Sequence, residues 1–119
     1  MEITKQYLND LTYAFIGCCI NVHKELGPGL LENVYHQCLI EELKYENISF
    51  KSELEVPVKY RGKFIETKLK ADLFLEDCLV VELKSVKKFE PIFDAQILTY
   101  MNILKAPKGI LINFNCLNI

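Results

Sequence analysis

The alternation of apolar and polar positions divides this chain into seven predicted elements, and one of them carries charge where charge is costly. Residues 78–84, Cys-Leu-Val-Val-Glu-Leu-Lys, are apolar almost throughout. Strand side chains alternate faces, so Glu82 and Lys84 share one face while Leu79, Val81 and Leu83 share the other. A run this apolar predicts a strand that is central in its sheet and covered on both sides. An acid and a base in that position need a partner or a metal ion.

The other elements follow from periodicity and stop signals. Leu8, Leu11, Phe15, Cys19, Val22 and Leu26 recur at helical spacing and predict a first helix over 7–26. Leu26-Gly27-Pro28-Gly29 ends it, because glycine suits the position after a helix and proline cannot continue one. A second helix runs from Leu30 to Tyr45, with Leu31, Val34, Tyr35, Cys38, Leu39 and Leu43 as its apolar stripe. Residues 50–60 alternate as a half-buried strand, with Leu54, Val56, Val58 and Tyr60 on one face and Glu53, Glu55 and Lys59 on the other. Arg61-Gly62-Lys63 is a turn. Residues 64–75 form the next strand, with Ile65, Thr67, Leu69, Ala71, Leu73 and Leu75 on one face and Lys68, Lys70, Asp72 and Phe74 on the other.

Glu76-Asp77 turns the chain into a strand over 78–86, and hairpin pairing of these two strands brings Asp72 nearly opposite Glu82. Pro91 opens a third helix that reaches about residue 104. Ala106-Pro107-Lys108-Gly109 breaks it, and Ile110 to Phe114 is an apolar run of strand length. A strand, a helix and a strand in succession imply a right-handed crossover and parallel pairing. The expected order is α-α-β-β-β-α-β, an α/β arrangement with helices against a mixed sheet. No repeat or linker interrupts it, so residues 1–119 read as one domain.

Composition narrows the class without choosing a function. The chain has 119 residues, 50% hydrophobic and 25% charged, as expected of a soluble globular domain with a real core. No window approaches a membrane helix, and no signal-type apolar segment opens the chain, so a cytoplasmic protein with no membrane partner is expected. The five cysteines, Cys18, Cys19, Cys38, Cys78 and Cys116, include no CxxC pair and read as reduced, mostly buried hydrophobes. Net charge is −2, with Arg61 the single arginine. That balance counts as negative any acids that would hold a metal, so bulk charge neither supports nor excludes a polyanionic substrate.

Local chemistry is more informative. Two carboxylates as close as Asp72 and Glu82 repel, and a divalent cation relieves the repulsion. Magnesium is satisfied by one or two carboxylates, several waters and phosphate oxygens. Lys84, on the same face as Glu82, is placed to stabilise charge on a reacting phosphate or to orient the attacking water. Together these are the parts of metal-assisted phosphodiester hydrolysis. Plainer readings stand beside each residue. Glu32 complements a helix N-terminus, and His23 a helix C-terminus. Glu82 and Lys84 form a salt pair, Gln96 and Tyr100 a helix-surface pair, and Tyr35 packs in the core.

The pattern Asp72-(x9)-Glu82-Leu83-Lys84 resembles the PD-(D/E)XK signature of the restriction-endonuclease-like nuclease superfamily, with Ala71 where proline often stands. Gln96-Ile97-Leu98-Thr99-Tyr100 is similar to the QxxxY motif of its RecB-like branch. Gly29-Leu30-Leu31-Glu32-Asn33-Val34-Tyr35 resembles the GxxExxY motif that names a small family within it. The resemblance spans residues 12–115 and implies a restriction-endonuclease-like core. It also implies a Mg²⁺ or Mn²⁺ ion held by Asp72, Glu82 and Glu32, with Lys84, Gln96 and Tyr100 as catalytic or strand-positioning residues. His23 and Tyr35 are further candidates by the same likeness. The expected partner is nucleic acid, DNA first, and a homodimer would let so small a chain span a duplex. Two functions stand foremost at this point, with a metal-dependent hydrolase of another phosphodiester left open beside them. One is a metal-dependent nuclease. The other is a catalytically inert nuclease-like module that serves in nucleic-acid or protein assembly.

Overall fold

A computed structural model describes residues 2–67 and 69–119. The expected face of Lys68 therefore lies outside the described residues. Three helices flank a mixed four-stranded sheet. Helix α1 is Lys5–Leu26, α2 is Glu32–Tyr45 and α3 is Pro91–Leu104. The strands are β1 (Phe50–Glu55), β2 (Val58–Tyr60), β3 (Lys63–Ile65), β4 (Lys70–Leu75), β5 (Leu79–Lys84) and β6 (Lys108–Asn113). The sheet order is β1-β4-β5-β6, with β2 and β3 set apart as a two-stranded ribbon. β5 lies between an antiparallel neighbour, β4, and a parallel one, β6, which is reached through α3.

Helix boundaries follow local chemistry. The α1 N-terminus lies two residues before the predicted start because Thr4 Oγ1 accepts the Tyr7 N–H at 3.0 Å. α1 ends where glycine was expected to end it: Gly27 has φ 71°, and its N–H reaches His23 O at 2.8 Å. Proline opens α3, and Lys105 closes it in the left-handed conformation.

The sheet has a covered face on each side. Leu73, Leu75, Leu79, Val81 and Leu83 pack with α1 and α2 through Phe15, Leu39 and Leu43. Val56, Ala71, Phe74 and Val80 pack with Ile97 and Tyr100 of α3 on the other. The central position read for residues 78–84 is thus observed, and Leu79 to Leu83 are buried without a break.

Two expected strands are broken. The run 50–60 stops at Glu55, and the run 64–75 stops at Ile65 and resumes at Lys70. Pro57 has no N–H to give to a ladder. Two residues separate β1 from β2, but four separate β3 from β4, so the ribbon and the main sheet cannot share one register. The faces also slip. Ala71 packs with the α3 cluster and Leu73 with the α1–α2 cluster, although simple alternation places both together. The slip falls at Asp72. Opposite it on β1, between the pairs Ser52↔Leu73 and Leu54↔Ala71, Glu53 adopts φ 51° and leaves the ladder.

Tyr35 anchors the turn between α1 and α2. It is fully buried, donates its hydroxyl to Gly27 O at 2.6 Å, accepts the Leu30 N–H at 3.1 Å, and stacks on Phe114 at 4.4 Å. Tyr35→Phe keeps the stack and removes both hydrogen bonds. It is expected to cost roughly 1–2 kcal/mol, or a melting temperature lower by roughly 4–8 °C. An unchanged thermal melt would show that the hydroxyl does not hold the turn.

Candidate functional site

Asp72 and Glu82 meet where the β4–β5 ladder opens. The paired register ends at Leu73↔Val81, which puts residues 72 and 82 opposite each other at the next step. In place of ladder bonds, the side chains cross. The Asp72 N–H donates to Glu82 Oε2 at 3.2 Å, and the Leu83 N–H donates to Asp72 Oδ2 at 2.7 Å. The slip at Asp72 frees those backbone groups, so sequence, register and side-chain position are linked at one residue.

The electrostatics are severe. Glu82 is only 4% exposed. Burial raises its pKa well above the ordinary carboxylate range, and the hydrogen bond and charge of Asp72 raise it further. Among the described residues neither carboxylate forms an ion pair with a lysine or arginine. Lys84 lowers the Glu82 pKa through its charge, but its ammonium lies over the Phe93 ring, 4.5 Å from the centroid. The simple Glu82–Lys84 salt pair is therefore not what the fold contains.

Glu32, from α2, shares a cavity wall with Asp72 but not with Glu82. A cavity of about 170 Å³ is lined by Glu32, Asn33, His36, Glu53, Asp72 and Leu83. Gln96 and Tyr100 lie on the other side of the sheet. The Gln96 amide donates to Tyr100 Oη at 3.0 Å, and both line a groove with Leu69, Ile92, Phe93 and Thr99. Lys84 touches that groove through Phe93. The candidate residues thus fall on two sides of the β4–β5 pair, with Asp72 and Glu82 between them. A larger cleft of about 490 Å³ between α1 and α2 contains none of these residues, so size does not choose the site.

Two candidates point elsewhere. His23 Nε2 bonds to Cys116 O at 2.8 Å, and its ring lies 6.4 Å from Phe114. Tyr35 is committed to Gly27 and Leu30, as described above. Neither lines the cavity or the groove.

The structure also adds residues. His36 bonds to Ser52 Oγ at 2.8 Å and lines the cavity beside Glu32. Their four-residue spacing puts them on one helix face and was readable in the sequence. Glu53 was assigned to a solvent face, and only the β1–β4 register places it against Asp72. Asn113 fixes the end of β5 just beyond Lys84: its Nδ2 donates to Val86 O at 2.9 Å, and its Oδ1 accepts the Val86 N–H at 3.1 Å.

The donor set is all oxygen at its centre, which suits a hard divalent cation. Among the described residues no three His, Cys, Asp or Glu side chains converge closely enough to hold an ion by themselves. Two carboxylates still fit magnesium, whose shell is ordinarily completed by water and phosphate oxygens. The cysteines offer no alternative centre: all five are free, and burial pushes the Cys18 thiol up to about 11 and Cys19 further.

Among the described residues no helix is long and apolar enough to cross a membrane. No curated protein and no solved structure gives a match to this chain. A family model does: that of the PD-(D/E)XK nuclease superfamily matches residues 9–119. That span includes α2, the crossed carboxylates of β4 and β5, and α3, and by it the chain belongs to the PD-(D/E)XK nuclease superfamily.

Proposed function

We propose that this protein is a nuclease that hydrolyses DNA phosphodiester bonds with a bound Mg²⁺ or Mn²⁺ ion, and that residues 1–119 act as a single unit in doing so. The observation that carries this reading is the crossed pair of half-buried Asp72 and buried Glu82, which has no cationic partner among the described residues. Superfamily membership supports it, since these nucleases generally use divalent metals. Asp72 and Glu82 would hold the ion, with Glu32 contributing from the cavity wall. When bound, it would polarise the phosphoryl group and lower the pKa of a coordinated water.

The remaining steps fall to the chain's own side chains. Lys84, released from the Phe93 ring, brings a positive charge to the non-bridging oxygens as charge develops there. Gln96 and Tyr100 supply an amide and a hydroxyl from one helix face to orient the strand. Asn113 holds the end of β5 so that Lys84 keeps its place beside Glu82.

Addition of Mn²⁺ at a hundredfold excess over Kd is expected to raise the melting temperature by roughly 10 °C. Asp72→Ala is expected to remove the rise. In parallel, a labelled oligonucleotide should be cut by the native chain in Mn²⁺ and not by Lys84→Ala. Absence of both effects in the native protein would leave the inert-module reading in its place.

A further inference from the structure

The β2–β3 ribbon serves neither the core nor the site. Its sequence, Val58-Lys-Tyr-Arg-Gly-Lys-Phe-Ile65, holds three cations and no acid in a chain of net charge −2. Arg61 and Gly62 have φ of 51° and 82°, the left-handed pair that tight two-residue hairpins favour. Every residue from Lys59 to Ile65 is exposed, with Tyr60 at 65% and Phe64 at 74%. Among the described residues the ribbon packs appreciably on no other element. A lone two-stranded hairpin is marginal in water, and large exposed rings add nothing to its stability. Beyond its own ladder, Lys59 lies over the Phe64 ring at 5.4 Å.

Its position gives it a use. The main sheet ends with Glu55↔Lys70, extended by the Val56 N–H to Leu69 O bond at 2.9 Å. The ribbon springs from that end. Asp72 is two residues along β4 from Lys70. Antiparallel β5 finishes at the same end with Lys84, followed by exposed Lys87 and Lys88. Acids are present at the ribbon's base, where Glu55 and Glu66 line a cleft with Pro57 and Phe64, so any anion must meet the tip and its sides.

We infer that the β2–β3 hairpin is a binding arm for a single nucleic-acid strand leaving the site. Lys59, Arg61 and Lys63 meet phosphates, and Tyr60 and Phe64 stack on unpaired bases. Cations supply the sequence-independent attraction, and rings accept any base face. The choice of nucleic acid as the polyanion rests on the nuclease reading above.

The test is fluorescence anisotropy with a labelled polythymidine strand in metal-free buffer, where no cleavage occurs. Replacing Lys59, Arg61 and Lys63 by glutamine should weaken binding and flatten the slope of log K against log salt by about 2. Tyr60→Ala with Phe64→Ala should weaken binding roughly tenfold or more and leave that slope intact. Both variants should melt like the native chain, since the core does not use the ribbon. Native affinity and slope in both variants would overturn the arm. So would a change confined to duplex binding, or one confined to self-association in sedimentation. If the variants lose binding but the native chain cuts nothing in Mn²⁺, the arm stands and the nuclease reading fails. If the native chain cuts and the variants bind normally, only the arm fails.

Discussion

Asp72→Asn is expected to lower metal-dependent cleavage by roughly 10³-fold, the several kcal/mol that loss of a metal-centred stabilisation represents at about 1.4 kcal/mol per decade. Asparagine suits this test because it is nearly isosteric with aspartate. Its Oδ1 can still accept the Leu83 N–H, so the crossed arrangement of β4 and β5 survives. What disappears is the Asp72 charge, one of the two carboxylate charges that would hold the cation. A thermal melt in the absence of metal should be unchanged or slightly higher, which separates lost chemistry from lost folding. Activity within about tenfold of native would mean that Asp72 does not hold the ion.

Glu82→Gln is expected to stabilise the metal-free protein and to flatten its pH dependence. The native Glu82 pKa lies above its ordinary value of 4.5, because the side chain is buried against Asp72. Between that ordinary value and the raised one, the folded state keeps a proton that the unfolded chain has released. More protons bound in the native state means that stability falls as pH rises through the window. The native chain without metal should therefore lose roughly 4 °C or more of melting temperature from about pH 5 to about pH 8. Glutamine at 82 keeps an acceptor for the Asp72 N–H, offers an amide to the Asp72 carboxylate and carries no charge at any pH. A divalent cation should suppress the slope in the native protein by displacing the shared proton, so that binding releases protons and tightens as pH rises. A melting temperature independent of pH in the native, metal-free chain would contradict the buried pair.

Much of this fold was legible because local signals agreed with one another. Gly27-Pro28-Gly29, Pro91 and the unbroken apolar run of β5 each predicted a boundary or a burial that the structure contains. Asp72 and Glu82 were paired correctly because a short turn at Glu76-Asp77 leaves little freedom of register. The misreadings have a common origin. Pro57 and the unequal connections on either side set the β2–β3 ribbon out of register with the β1–β4 pairing, and alternation alone cannot show such a shift. The shift hides Glu53, whose left-handed backbone is unusual for a side-chain-bearing residue and which reaches Asp72 only through long-range pairing. It also hides the exposure of Tyr60, Phe64 and Ile65, which the period-two pattern assigned to a covered or half-covered strand. His36 is a different case, since its spacing from Glu32 was visible. Tyr35 and His23 show the converse. Their place in a recognisable pattern suggested chemistry, but their hydrogen bonds go to backbone groups that hold the turn after α1 and the chain near Cys116.

The most direct test of the metal site is a crystal of the native chain soaked in Mn²⁺ and measured at the manganese absorption edge. An anomalous peak between the Asp72 and Glu82 carboxylates, absent in Asp72→Asn crystals soaked alike, is the predicted result. A peak elsewhere, or none between these two side chains while the soaked protein still cuts DNA, would contradict it.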